Sequence, residues 1–198
     1  MSLHAHLDAA CLTILESHYD GMRVQLLSPR TAFWQAFKYS PEFFDGEADP
    51  LDRYSKRIIN PIARQFGLQA SFPSDGPPYP AFISWALKSE RVHLSPIGLL
   101  VHNEFGLWVS FRGAIIGGKT LEIAKTKSPC TDCAKPCLTT CPVNAFSNGA
   151  YDVETCQAHL RTGDVECWNG CLARKSCPAA SIERNDEQSR FHMKAFAC

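Results

Sequence analysis

The chain has 198 residues, 45% of them hydrophobic and 20% charged, and its 20 basic and 20 acidic side chains leave no net charge. Divided at Pro129, basic and acidic residues number 13 and 12 before it and 7 and 8 after it, so neither part has the cationic excess that holds a phosphate backbone or an anionic membrane surface. Nucleic acid and membrane are therefore not expected partners. No apolar run reaches the span of a bilayer, and Met1–His6 lacks the basic-then-apolar pattern of a signal peptide.

In chain order, Leu3, Leu7, Ala10, Cys11, Ile14 and Leu15 recur at three- and four-residue steps. That spacing predicts an amphipathic helix over Ser2–His18, capped by Ser2 and stopped by Gly21, with the Cys11 thiol in the core. Met22–Ser28 reads as a strand ended by Pro29. Thr31–Lys38 reads as a short helix whose Phe33, Trp34 and Phe37 pack rather than bind a cofactor. Ser40–Pro50 is a loop. Asp49 and Pro50 then open a helix through Arg64, which Pro61 is expected to kink. A strand over Leu68–Phe72, an extended loop over Pro73–Pro80 and a helix over Phe82–Glu90 follow.

Ile97–His102 and Leu107–Ile116 read as two strands joined by a turn at Asn103–Gly106, with a further turn at Gly117-Gly118. Gly113-Ala-Ile-Ile-Gly-Gly118-Lys119-Thr120 matches the phosphate-binding loop letter for letter. A working loop of that kind leads into a long helix whose N-terminus cradles phosphate. Here only eight residues separate Thr120 from Pro129, so a hairpin turn accounts for the glycines better than a nucleotide does.

The most specific stretch is Cys130-Thr-Asp-Cys133-Ala-Lys-Pro-Cys137-Leu-Thr-Thr-Cys141-Pro142, four thiols within twelve residues. In bacterial ferredoxin runs three close cysteines hold one iron–sulfur cluster and the Cys before Pro ligates a second. This run has one residue more than usual between its second and third thiols. Cys156, Cys167, Cys171 and Cys177 follow, the last again before a proline, Pro178. Eight thiolates suit two four-iron clusters. Crossed ligation gives Cys130, Cys133, Cys137 and Cys177 to one and Cys141, Cys156, Cys167 and Cys171 to the other. A zinc site more commonly pairs two separated Cys-x-x-Cys knuckles. Disulfides need an oxidising compartment, whereas free thiols point to a reducing cytoplasm. Cys11 and Cys198 stand outside both groups.

His93 and His102 flank the Pro96–Leu100 segment and are candidates for lining a cofactor pocket or donating to a cluster sulfur, against a plain hydrogen-bonded imidazole. Trp168, between two expected ligands, is placed to shield a cluster from water. Asn185–Arg190 reads as a solvated polar stretch.

With the cysteine order in view, Pro96–Pro178 resembles the iron–sulfur part of epoxyqueuosine reductase and, more distantly, the cobalamin-dependent reductive dehalogenases. The resemblance rests on Ile97-Gly98-Leu99-Leu100-Val101, Glu104-Phe105-Gly106-Leu107-Trp108, Phe111-Arg112-Gly113 and the order of the eight thiols. It implies an α+β chain: an N-terminal α/β reductase-like domain with a small sheet over 1–128, then a mostly helical ferredoxin-like two-cluster domain over 129–198. It also implies the crossed ligand sets and cobalamin as a possible further cofactor. The function expected is a redox protein carrying two [4Fe–4S] clusters and exchanging electrons with a partner protein. The alternative is a small cobalamin- or flavin-dependent reductase.

Overall fold

The computed structural model describes residues 1–147, 150–180 and 186–197. Helices and small antiparallel sheets make the chain α+β. Its contacts fall into two compact units, Met1–Arg91 with Ser110–Thr126, and Val92–Val109 with Lys127–Cys198.

The first unit opens with α1 (Leu3–Ala9), where the Ser2 hydroxyl accepts from the Ala5 N–H at 3.2 Å. The helix stops there rather than running to His18. Cys11 takes a left-handed backbone (φ 59°) and is half-buried at the bend. Leu12–Tyr19 is strand β1, paired residue for residue with β2 (Met22–Pro29). Asp20 (φ 49°) and Gly21 (φ 72°) form the connecting turn. Positive φ at both central residues matches the twist of a two-residue hairpin, and an Asp-Gly pair supplies it at little steric cost. That pairing outweighs the helical spacing of Leu12 and Leu15, which both bury in the strand.

Helix α2 (Thr31–Lys38) forms as expected, with Phe33, Trp34 and Phe37 buried among Phe43 and Tyr54. The loop expected at Ser40–Pro50 contains one short helix, α3 (Pro41–Phe44). Arg57 grips the buried Glu42 of α3 with two hydrogen bonds, one of them at 3.0 Å. Arg57 lies in α4 (Pro50–Gln65), whose N-cap residue Asp49 is left-handed and makes no side-chain cap. Strand β3 (Gln69–Ser71) and helix α5 (Phe82–Lys88) follow.

Two short strands of the second unit come next, β4 (Val92–Leu94) and β5 (Leu100–His102), an antiparallel pair. The strand expected over Leu107–Ile116 begins only at Gly113. Leu107, Trp108, Val109 and Phe111 are all buried and do not alternate across a sheet. Strand β6 (Gly113–Lys119) returns to the first unit and completes a sheet of order β1-β2-β6-β3, antiparallel throughout. Central β2 buries Val24 to Ser28 consecutively, so both its faces are covered.

Gly117 and Gly118 therefore lie within β6, where its register against β2 shifts between Met22 and Val24, and not in a hairpin turn. A side chain at Gly113 would meet Ile59 of α4 at 3.0 Å and Phe72 at 3.1 Å. The glycine of the phosphate-loop look-alike is there to let the helix approach the strand. No regular structure follows β6 before the cysteine run.

In the second unit a 3₁₀ turn at Pro136–Leu138 is followed by α6 (Val153–Arg161), α7 (Val165–Trp168), α8 (Leu172–Lys175) and α9 (Asp186–Ala197). Helix α9 replaces most of the polar stretch expected at Asn185–Arg190, of which Asn185 lies outside the described residues. Acidic Asp186 and Glu187 sit in its first turn and Lys194 in its last, which suits the helix dipole. Buried Ser189 faces Gly170, and the Gln157 side chain donates to the Phe196 carbonyl at 2.6 Å. Among the described residues no helix is long and apolar enough to cross a membrane.

Two expected outcomes follow from the first unit. Because Lys119 is a strand residue with no helix after it, Lys119→Ala leaves affinity for ATP and magnesium unchanged by calorimetry. Micromolar binding abolished by the substitution would contradict the strand assignment. Separately, the Arg57 hydrogen bonds hold the Glu42 carboxyl down at about 2, against an ordinary value of 4.5. A depressed folded-state value stabilises above the unfolded value and is lost as pH falls through the folded one. The difference in urea midpoint between the wild type and Glu42→Gln is thus expected in full at neutral pH, shrinking between about pH 4.5 and pH 2.

Candidate metal centre

The second unit gathers eight thiols into two groups. Cys130, Cys133, Cys137 and Cys177 line one pocket, together with Val101, Leu107 and four prolines. No carboxylate lines it. Two ends of the sequence meet there: the run that starts at Cys130, and Cys177 just after α8, whose N–H donates to the Arg174 carbonyl at 3.2 Å.

Local backbone geometry aims the first three sulfurs. The Cys130 N–H donates to the Ser128 hydroxyl at 3.3 Å, while the 3₁₀ turn buries Cys137. The additional residue between Cys133 and Cys137 is absorbed by a left-handed Lys135 (φ 57°, ψ 49°). Its N–H donates to the Cys133 sulfur at 3.2 Å, the kind of bond that stabilises a thiolate.

Cys141, Cys156, Cys167 and Cys171 form the second group, each presented by a different local device. The Ala145 N–H donates to the Cys141 sulfur at 3.4 Å. Cys156 lies in the first turn of α6, whose N-cap Asp152 accepts from Thr155 at 2.9 Å. Cys167 sits in α7 with its N–H on the Asp164 carboxylate at 2.9 Å. Cys171 is the N-cap residue of α8.

Electrostatics draws the same partition. Burial pushes the Cys137 thiol up, and its neighbours Cys130, Cys177 and Cys133 push it further. Cys130 is likewise raised by burial, then by Cys177 and Cys133, against the lowering hydrogen bond from Ser128. In the other group burial takes Cys167 up to about 12, with Asp164, Cys171, Cys156 and Cys141 adding to it. Cys156 rises for the same first reason, then through Cys171 and Cys141. Cys130, Cys137, Cys156 and Cys167 therefore hold their protons as bare thiols, through burial first and neighbouring sulfurs second, and a cationic centre would have to displace those protons.

One apolar core runs beneath both groups. Ile97, Val101, Leu107, Phe146 and Ala173 are buried in it, with Cys137 among them and Cys130, Cys141, Cys171 and Cys177 packed against it. The β4–β5 hairpin and the turn after it supply part of that wall. Gly106 is needed at the turn: a side chain there would meet the Ala180 backbone nitrogen at 2.7 Å, where Phe105 bridges to Ala180.

His102 is buried; its Nδ1 accepts from the Glu104 N–H at 3.1 Å and the Phe105 N–H at 3.4 Å, and its ring stacks on Phe105. These bonds give it the work of holding the turn. His93 pairs across the hairpin with Val101. Neither imidazole is among the residues lining the cavity. Trp168 donates from Nε1 to the Leu160 carbonyl at 2.9 Å and so ties α7 to α6. Cys11 belongs to the other unit, and Cys198 lies outside the described residues. The nine described cysteines are free of disulfides.

Four polar neighbours of the second group escape a reading of the sequence alone. The Tyr151 hydroxyl is hydrogen-bonded to Cys156. His159 and Asp164 have ligand atoms within 4.8 Å of one another and of the Cys167 sulfur. Arg174 lies three residues beyond Cys171. Only that last spacing leaves a trace in the sequence, and it is a common one.

All-sulfur donor sets select soft metal ions or iron–sulfur clusters over magnesium and calcium. No family model matches the sequence, and no curated protein matches it.

The two groups set an expectation for metal binding. Cys177→Ala costs the same centre as Cys133→Ala, although 44 positions separate them. Cys141→Ala costs the other centre, despite standing four positions from Cys137. Metal content and the spectra of the single variants check this. Matching spectra for the Cys133 and Cys141 variants, with Cys177 differing from both, would refute the grouping.

Proposed function

We propose that this chain is an iron–sulfur redox protein, with a [4Fe–4S] cluster on each group of four thiols and electron transfer as its activity. The observation that carries the proposal is the sorting of eight thiols into two sets that each draw on distant parts of the chain. Zinc is satisfied by one local pair of knuckles and has no need of this arrangement. Two Cys-Pro pairs, one closing each run, are the ferredoxin-type signature.

A bound [4Fe–4S] cluster takes up and returns single electrons without making or breaking a protein bond. The residues of the chain do the rest. Eight thiolates replace eight thiols and hold the irons, while the apolar core keeps water off the sulfurs. Backbone N–H groups of Lys135 and Ala145 stabilise sulfur charge. The electron comes from one redox protein and leaves to another, in a reducing cytoplasm. In this reading the cysteine unit is a ferredoxin-like two-cluster domain, and the residues before it an α/β reductase-like domain.

Anaerobic reconstitution followed by iron and sulfide analysis is expected to give eight irons and eight labile sulfides per chain, with a broad visible shoulder. Stoichiometric zinc without labile sulfide would overturn the proposal. Corrin or flavin bands in anaerobically purified protein would turn it into a reductase instead.

A further inference from the structure

Among the described residues, Arg174 is a charge without a carboxylate partner. Five other arginines pair with carboxylates: Arg23 with Glu16, Arg30 with Asp8, Arg53 with Asp45, Arg57 with Glu42 and Arg112 with Asp52. Arg64, Arg91 and Arg161 lie exposed in water. Arg174 does neither. It is half-buried, and no carboxylate among the described residues pairs with it. Its Nη1 donates to the Leu107 carbonyl at 3.0 Å, and its guanidinium lies 5.9 Å over the Trp108 ring. Burial lowers its pKa, and the neighbours that oppose the lowering are Cys171 and Tyr151.

A desolvated cation with no anion is costly, and a fold keeps one where an anion arrives by other means. Here α8 supplies the reason. Cys171 is the N-cap of α8 and Arg174 stands three positions on, its backbone N–H on the Cys171 carbonyl at 3.1 Å, so the two side chains share one face of the helix. Leu107 and Trp108 fix it from the other side, but neither is an anion.

Resting on the iron–sulfur reading above, we infer that Arg174 is the fixed counter-charge of the cluster on Cys141, Cys156, Cys167 and Cys171, making it the higher-potential of the two. A thiolate-ligated cluster is net negative and gains one more negative charge on reduction, so a nearby fixed cation favours the reduced state. Tyr151 acts in the same direction through its bond to Cys156. Its ring is held between Phe146 (centroids 4.8 Å apart) and Phe196 (6.1 Å). Asp164 opposes both from beside Cys167. Its carboxylate is 35% exposed and 3.5 Å from His159, so water and an imidazole weaken a charge that Arg174 expresses in a drier place. Lys135, which lines the pocket of the first group, is exposed and screened.

The test is a redox titration of the anaerobic holoprotein with dithionite, followed by paramagnetic resonance. Each signal is assigned by its loss in Cys133→Ala or Cys167→Ala. Arg174→Gln keeps a donor for the Leu107 carbonyl and drops the charge. It is expected to make reduction of the Cys167 signal at least about tenfold less favourable, about 59 mV for one electron, and to leave the Cys133 signal in place. Arg174→Lys restores most of the shift, and about 1 M salt does not abolish it. No shift, an equal shift of both signals, or a shift of the Cys133 signal alone would overturn the inference. If Arg174→Gln fails to hold iron, the wild type decides: the Cys167 signal must titrate at the higher potential, and the reverse order refutes the role. Wild-type protein with zinc and no labile sulfide sinks the iron–sulfur reading itself, a result distinct from all of these.

Discussion

Burial of sulfur, reinforced by neighbouring sulfurs, is the constraint on which the second unit depends. Cys130, Cys137, Cys156 and Cys167 resist ionising first because they are buried and then because other thiols stand beside them. A thiolate set becomes favourable only around a positive core, and then each sulfur helps hold the others. Packing alone is thin there: α7 and α8 are single turns, and the residues around the first set are mostly turn and loop. On the iron–sulfur reading, binding and folding are then one free-energy term in this unit. The first unit is organised on a different principle. Its central strand is covered on both faces, and its aromatic cluster needs no ligand.

Much of this was legible in the residues. The crossed grouping of thiols was expected from two Cys-Pro pairs, because a proline after the fourth thiol turns the chain away from the first three. Helix α2 and strand β2 were legible from apolar spacing. Strand β1 was not, since Leu12 and Leu15 fit a helical repeat as well as a strand. The deciding signal was Asp20-Gly21, a hairpin marker weightier than periodicity over so short a segment. The Gly117-Gly118 pair misled in the opposite sense: a two-glycine turn and a glycine bulge in a central strand look alike until the partner strand is known. Leu107–Arg112 misled because a run of buried apolar residues does not reveal whether a sheet or an irregular core surrounds it.

The surroundings of the site were the least legible part. Tyr151, His159, Asp164 and Arg174 reach the second group through the fold of α6, α7 and α8, and none carries a spacing rule of its own. Unpaired charge was the useful signal, and it appears only once the other described arginines have been sorted into those paired with carboxylates and those exposed to water. His102 shows the converse. Its position beside the apolar segment suggested a ligand-facing role, while its hydrogen bonds assign it to the turn that Gly106 makes possible.

The chain order of the eight thiols also sets a timetable for synthesis. Cys130, Cys133 and Cys137 leave the ribosome first, but their set waits for Cys177. Cys141, Cys156, Cys167 and Cys171 are complete six residues earlier. The β4–β5 wall, made before any of them, stands ready throughout. The set that begins first closes last, so a nascent chain has its second foursome whole while the first still has a gap. Any assembly machinery acting during translation meets the two sites in the reverse of their order along the sequence.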